Sequence, residues 1–220
     1  MKGNIVGLIP VKGQSERVSK KNIRRFHNTT LLDLKLDQLS KTKGFDNIIL
    51  SSEDLKIIEI AKNKGFDTHT RNPKYSTSDV PMSEVYSHIA SEISGDNIAW
   101  INVTNPLAES KIYEDAIEIF RQMGNSYDCL LSATEVRENF FFKGKAINFE
   151  RTPWPRSQDL DPLTTLTFVI NILKRKDMIK WGSCVGINPY FYYLDKIDSW
   201  DIDDKEDFNF CEMIYKQRYP

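Results

Sequence analysis

Apolar runs short enough to be buried strands alternate along this chain with segments whose apolar residues recur at helical spacing. Ile5–Pro10, Asn47–Ser51, Phe66–Thr70, Ile98–Val103, Asp128–Thr134 and Val169–Leu173 read as strands. Leu31–Leu39, Leu55–Lys64, 82–93 and Ile112–Met123 read as helices, with Gly65 stopping the second. This alternation predicts an α/β fold, a single doubly wound and mostly parallel sheet, in which ligands sit beyond the carboxyl ends of the strands. Residues 136–165 break the rhythm. Phe140-Phe141-Phe142 before Lys143-Gly144-Lys145 predicts a hairpin, and Arg151 to Pro162 is rich in proline and charge. The segment is read as a flap or dimer arm on one unit spanning 1–220.

The formal net charge is −1 over 220 residues, so no bulk field draws the chain to nucleic acid or to acidic lipid, and anion binding must be local. Cys129, Cys184 and Cys211 are far apart and odd in number. They match neither a disulfide framework nor metal-ligand spacing, which points to a reducing cytoplasm. No apolar stretch is long enough to span a bilayer, and the first residues lack the apolar run of a signal peptide.

Local anion binding has an obvious candidate. The first strand runs directly into Lys12-Gly13-Gln14-Ser15-Glu16-Arg17, then Lys20-Lys21-Asn22. Gly13 lets the backbone approach an anion, Ser15 offers a hydroxyl, the lysines and Arg17 supply charge, and Asn22 can orient a base or sugar. The plainer reading is a solvated basic loop. Asp201 and Asp203 are expected to alternate along a strand and face one side, a platform for Mg²⁺. Alternatively Asp203 or Asp204 caps a helix running through 217, with Glu206 as the box partner. His27, His69 and His88 are scattered and read as structural.

Ile9-Pro10-Val11-Lys12-Gly13-Gln14-Ser15, then Lys21-Asn22, resembles the opening motif of the acylneuraminate cytidylyltransferase family, the CMP-sialic acid synthetases and their relatives acting on Kdo, legionaminic and pseudaminic acids. Further stretches match in order: Ile49-Leu50-Ser51-Ser52-Glu53, Arg71 with Ser78-Asp79, Asn102-Val103-Thr104-Asn105-Pro106-Leu107, Arg156-Ser157-Gln158-Asp159-Leu160, and Trp200-Asp201-Ile202-Asp203. The resemblance implies a Mg²⁺-dependent transfer of CMP from CTP to an acidic, nonulosonic-type sugar, with release of pyrophosphate, for surface glycan synthesis by a homodimer. It implies catalytic roles for Lys21, Asp201 and Asp203, with Mg²⁺ on the two aspartates. CTP would meet Lys12, Gly13, Ser15, Arg17, Asn22, Arg71 and Ser83, and the acceptor would meet Asn102, Arg156 and Gln158.

The departures from the family pattern cluster on the acceptor side. Lys12 replaces an arginine, Gln14 a glycine, Ala108 an arginine, and Thr167-Phe168 an Asn-Gly. They keep two alternatives in view: a related nucleotidyltransferase with a phosphate or phosphonate acceptor, and an inactive CTP-binding relative.

Overall fold

The computed structural model describes residues 3–14 and 18–220. Seven strands form the central sheet: β1 (Ile5–Pro10), β2 (Asn47–Ser52), β3 (Asp67–Thr70), β4 (Asn97–Trp100), β5 (Cys129–Val136), β6 (Leu163–Lys174) and β7 (Pro189–Tyr193). Six helices join or follow them: α1 (Leu31–Ser40), α2 (Leu55–Asn63), α3 (Met82–Glu92), α4 (Ser110–Gln122), α5 (Arg175–Trp181) and α6 (Lys205–Arg218).

The spatial order of the sheet is β7-β5-β6-β4-β1-β2-β3. β1 pairs in parallel with both β2 and β4, β2 with β3, and β7 with β5. Only β6 runs against its neighbours, β4 and β5. The expected doubly wound, mostly parallel sheet is therefore present. Between β1 and β4 the chain reverses its direction of travel across the sheet, and a crevice opens there beyond the strand ends. Two apolar layers cover the faces. One packs α1, α2, α4 and α6 residues such as Leu36, Ile57, Phe120 and Phe208 against Ile5, Ile9 and Ile172. The other packs α3 and α5, through Ile89 and Met178, against Leu8, Trp100 and Leu131.

Helix starts follow local chemistry. Thr30 accepts from the N–H of Asp33 at 3.0 Å and Asp54 from that of Lys56 at 2.8 Å, each capping the helix that follows. At α6 the capping residue is Asp204, and the reciprocal partner is Asp207 rather than Glu206. The box requires the third helical position, and Glu206 occupies the second. Asp201 and Asp203 do not lie on a strand as expected. Residues 201–203 are irregular, tied to the loop that follows β4 by the Ile202 N–H, which donates to the Thr104 carbonyl at 2.9 Å.

β4 ends at Trp100, three residues short of the expected Val103, because β6 pairs it only as far as Asn171. α5 and β7 were not anticipated. β6 is twelve residues long rather than five, interrupted by a register shift between Leu166 and Asn171. Thr167-Phe168 falls in that bulge, and Phe168 adopts φ +52°. Such a backbone suits glycine, the residue the family pattern carries there, and strains a bulky side chain.

The 136–165 excursion contains the predicted hairpin, Phe141–Phe142 paired with Lys145–Ala146. Asn148 closes it, accepting from the Phe140 N–H at 3.0 Å and donating to the carbonyls of Glu138 and Asp161. Phe141, Phe142 and Trp154 remain exposed on the outside.

Candidate active site

An open cleft of about 680 Å³ lies beyond the carboxyl ends of β1 and β4. Three segments wall it: the loop after β1, residues 76–79 after β3, and residues 102–104 after β4. Lys12, Lys21, Asn22 and Asn102 all line it, as the sequence predicts, and so do Ser78 and Asp79. Ser15 and Arg17 lie outside the described residues.

The loop after β1 folds back at residues 18–24. The N–H groups of Ile23 and Arg24 both donate to the Lys20 carbonyl, and Lys20 takes φ +51°. This turn sends the Lys21 ammonium to the Ile202 carbonyl, at 2.6 Å, between the two aspartates. Asn22 is 8% exposed, donates to the Lys12 carbonyl at 3.1 Å, and has an Oδ1 with no donor among the described residues. Asn102 is held by the Trp100 indole N–H at 3.2 Å.

Asp201 adjoins this wall. Burial raises its pKa and repulsion from Asp203 adds to that, while a hydrogen bond from Thr104 and the charge of Lys21 pull the other way. Its Oδ1 is buried without a donor among the described residues. A buried carboxylate oxygen left in this condition is costly, and a hard cation is a natural partner for it. Asp203 is exposed, and its N–H donates to Asp207 at 3.0 Å. No group of three or more His, Cys, Asp or Glu among the described residues is arranged to hold a metal. Two carboxylates nevertheless fit Mg²⁺, which commonly takes one or two from protein and the rest from water and phosphate.

Several sequence-derived roles meet a different geometry. Arg71 is 2% exposed and does not line the cleft. It lies beneath the loop, donating to the Val11 carbonyl and to Glu53, both at 2.8 Å, and to Ser76 at 3.0 Å. The Gly13 N–H is likewise directed to Glu53, at 2.8 Å, instead of into the cleft. Gly13 is needed for a different reason, since a Cβ there would sit 2.6 Å from Oδ2 of Asp54, the cap of α2. Ser83 is exposed in the first turn of α3, where its carbonyl packs against Gly182. Arg156 spends its fork on Asp159, at 2.6 and 3.0 Å, out on the exposed excursion with Gln158. None of these five lines the cleft of its own chain.

Glu53 is the residue that sequence reasoning passed over. Burial pushes its carboxyl up, but hydrogen bonds from Arg71, Ser76 and the Gly13 N–H outweigh this and hold it below the usual range. It ties the β1 loop to the segment after β3, two of the three cleft walls. The signal was its place at the end of a buried strand, where an acid needs partners. Asn105 was also overlooked. It is fully buried and donates to the carbonyls of Thr167, Ser199 and Trp200, joining the third wall to the residues just before Asp201.

Comparison with known proteins agrees with this geometry. A flagellin modification protein B, described as post-translational, from Campylobacter coli is 24% identical over 97% of this chain and 96% of its own. A pseudaminic acid cytidylyltransferase from Campylobacter jejuni is 26% identical over 95% of each. Among solved structures, CMP:2-keto-3-deoxy-manno-octonic acid synthetase complexed with CTP superposes with a TM-score of 0.72, at 9% identity, over 98% of this chain and 99% of the other. A 4-diphosphocytidyl-2C-methyl-D-erythritol synthase from Anaerococcus prevotii gives 0.70 at 12% identity, over 97% and 96%. These likenesses at low identity establish the fold. The family model described as Cytidylyltransferase matches residues 6–152, more than half the chain and all three walls of the cleft, and the chain belongs to that family of nucleotidyltransferase enzymes.

Proposed function

We propose that this protein transfers CMP from CTP to an acidic sugar of the nonulosonic type, with Mg²⁺, releasing pyrophosphate. The observation that carries the reading is the buried Oδ1 of Asp201, without a donor among the described residues, beside Lys21 and behind Thr104, two residues that line a cleft also lined by Lys12. The names of the relatives support the acceptor class: pseudaminic acid in one, a keto-deoxy octonic acid in another.

In this reading Lys12 and Lys21 meet the triphosphate as compact charges, lowering the cost of charge gathering on the α-phosphoryl oxygens and the leaving pyrophosphate. Asn22 offers its Oδ1, which has no donor among the described residues, to a nucleoside hydroxyl or amine. Asn102 faces the acceptor. Asp201 and Asp203 would hold Mg²⁺, which when bound supplies charge neutralisation and orientation for the phosphates. Glu53 and Arg71 act from beneath, fixing the loop in the shape the nucleotide needs.

The excursion, with Phe142 and Trp154 exposed, is proposed as the arm of a homodimer. Arg156 and Gln158 would then approach an acceptor in the partner's cleft rather than their own. No helix among the described residues is long and apolar enough to cross a membrane, which suits work in the cytoplasm on a small activated sugar.

The test is to incubate the protein with CTP, Mg²⁺ and a nonulosonic acid and follow phosphorus NMR. A new CMP-sugar phosphodiester with stoichiometric pyrophosphate is expected. Turnover only with phosphorylated acceptors would overturn the acceptor class.

A further inference from the structure

Lys35 is the least expected charge in the molecule. It lies on α1, 0% exposed, and its hydrogen-bond partners are neutral. Its Nζ donates to the Asn105 carbonyl at 2.8 Å and to the Tyr113 hydroxyl on α4. Placing an amine so deep is costly, and leucine or methionine would satisfy an apolar helix face at far less cost. What the amine secures is Asn105. That residue shares its side-chain N–H groups among three carbonyls: Thr167 in the β6 bulge, at 3.3 Å, and Ser199 and Trp200, at 3.3 and 3.2 Å. Ser199 and Trp200 immediately precede Asp201. Asn105 thus links α1, through its backbone carbonyl, to the backbone just before the buried Asp201 carboxylate, through its side-chain amide. The charge of Asp201 also acts on Lys35, opposing the effect of burial.

We infer that Lys35 is a positioning residue for catalysis, which acts through Asn105 to hold the Asp201 backbone where its carboxylate can serve the nucleotide. The inference rests on the cytidylyltransfer reading for the role of Asp201. It goes beyond that reading in assigning function to a residue that touches neither substrate nor cleft. Groups that orient a ligand from behind commonly matter by 10- to 100-fold.

The test uses the full chain in a double-mutant cycle, with Lys35→Met, Asn105→Ser and the pair together, assayed for pyrophosphate release. Lys35→Met keeps the volume and removes the donor. It is expected to lower kcat by roughly 10- to 100-fold while KM for CTP moves less than about threefold, since Lys12 and Lys21 are untouched. The double variant should be no slower than the slower single one, because both cut the same link. Independent, multiplicative losses would overturn the inference, as would Lys35→Met turning over like wild type. Tyr113→Phe removes the other partner and should leave kcat within about twofold.

Should Lys35→Met not fold, the unaltered protein with labelled lysine side chains gives the answer by NMR. The buried Lys35 signal should shift on adding Mg²⁺ with CTP, and a signal that stays fixed while CTP binds would overturn the inference. Absence of any turnover by wild type, in contrast, would be a failure of the functional reading and not of the relay.

Discussion

Arg71 and Glu53 meet at 2.8 Å beneath the loop that follows β1, and the pair joins two walls of the cleft. Neither side chain reaches the open space, yet the Val11 carbonyl, the Gly13 N–H and Ser76 all depend on them. The loop is therefore shaped by the protein's own acid before any phosphate arrives.

Cutting this pair should cost stability as well as binding. Arg71→Met leaves Glu53 half-buried with its main cation gone, and a loss of roughly 3–5 kcal/mol in urea unfolding is expected. The pH dependence has a defined sign. Glu53 has a folded-state pKa held below its ordinary value, so its contribution is present above the usual carboxylate range and is lost as pH falls through the folded value. Wild type should lose this increment on acidification, and Arg71→Met should not. Equal acid slopes in the two proteins would contradict the assignment.

Asp201 should show the opposite balance between stability and activity. Burial and the nearby Asp203 raise its pKa, so its charge is a burden on the folded protein without a cation. Asp201→Asn should fold at least as stably as wild type in metal-free buffer, with an unchanged or higher Tm. Turnover should fall by at least about 100-fold, and stabilisation by Mg²⁺ with CTP should disappear. A metal-dependent rise in Tm that survives the substitution would place the cation elsewhere.

Lys35 sets a second pH window. Burial drives its pKa down to about 7, with Asp201 pulling it partly back. Between about pH 7 and the ordinary lysine value the unfolded chain binds a proton that the folded chain does not, so stability rises with pH across that interval. Lys35→Met lacks this dependence. Its stability relative to wild type should therefore be greater at pH 6 than at pH 9 in parallel denaturant titrations. A constant difference would mean that Lys35 titrates normally.

Most of the sheet was legible because buried parallel strands announce themselves as short apolar runs, and Ile5–Pro10 is placed to the residue. β7 was not, since Pro189–Tyr193 is an edge strand of mostly aromatic residues and the helix before it, Arg175–Trp181, is only seven residues long. The Asp201–Asp203 pair was expected to share a strand face, and that reason does not hold. The residues are no strand, and Asp201 follows a backbone stretch whose Ser199 and Trp200 carbonyls accept from Asn105. Arg71 shows the general difficulty. A cation after a strand reads as a ligand contact, and only the placement of Glu53, eighteen residues earlier in the chain, turns it inward. Sequence gives residue types at strand ends, but the partners that decide their direction come from other walls of the cleft.

Lys21 offers a sharper separation of binding from chemistry. Its ammonium lies on the Ile202 carbonyl, between the aspartates, whereas Lys12 lines the cleft at the start of the loop. Lys21→Ala should lower kcat by about 100-fold or more, and Lys12→Ala should chiefly raise KM for CTP. Identical kinetic signatures for the two would show that both only bind the nucleotide.

The most direct measurement is pyrophosphate release with Mg²⁺ from each of the four nucleoside triphosphates, against a panel of nonulosonic acids and sugar phosphates. Release with CTP and an acidic keto sugar is expected, abolished by EDTA and by Asp201→Asn. Release that persists in EDTA, or that favours another nucleotide over CTP, would contradict it.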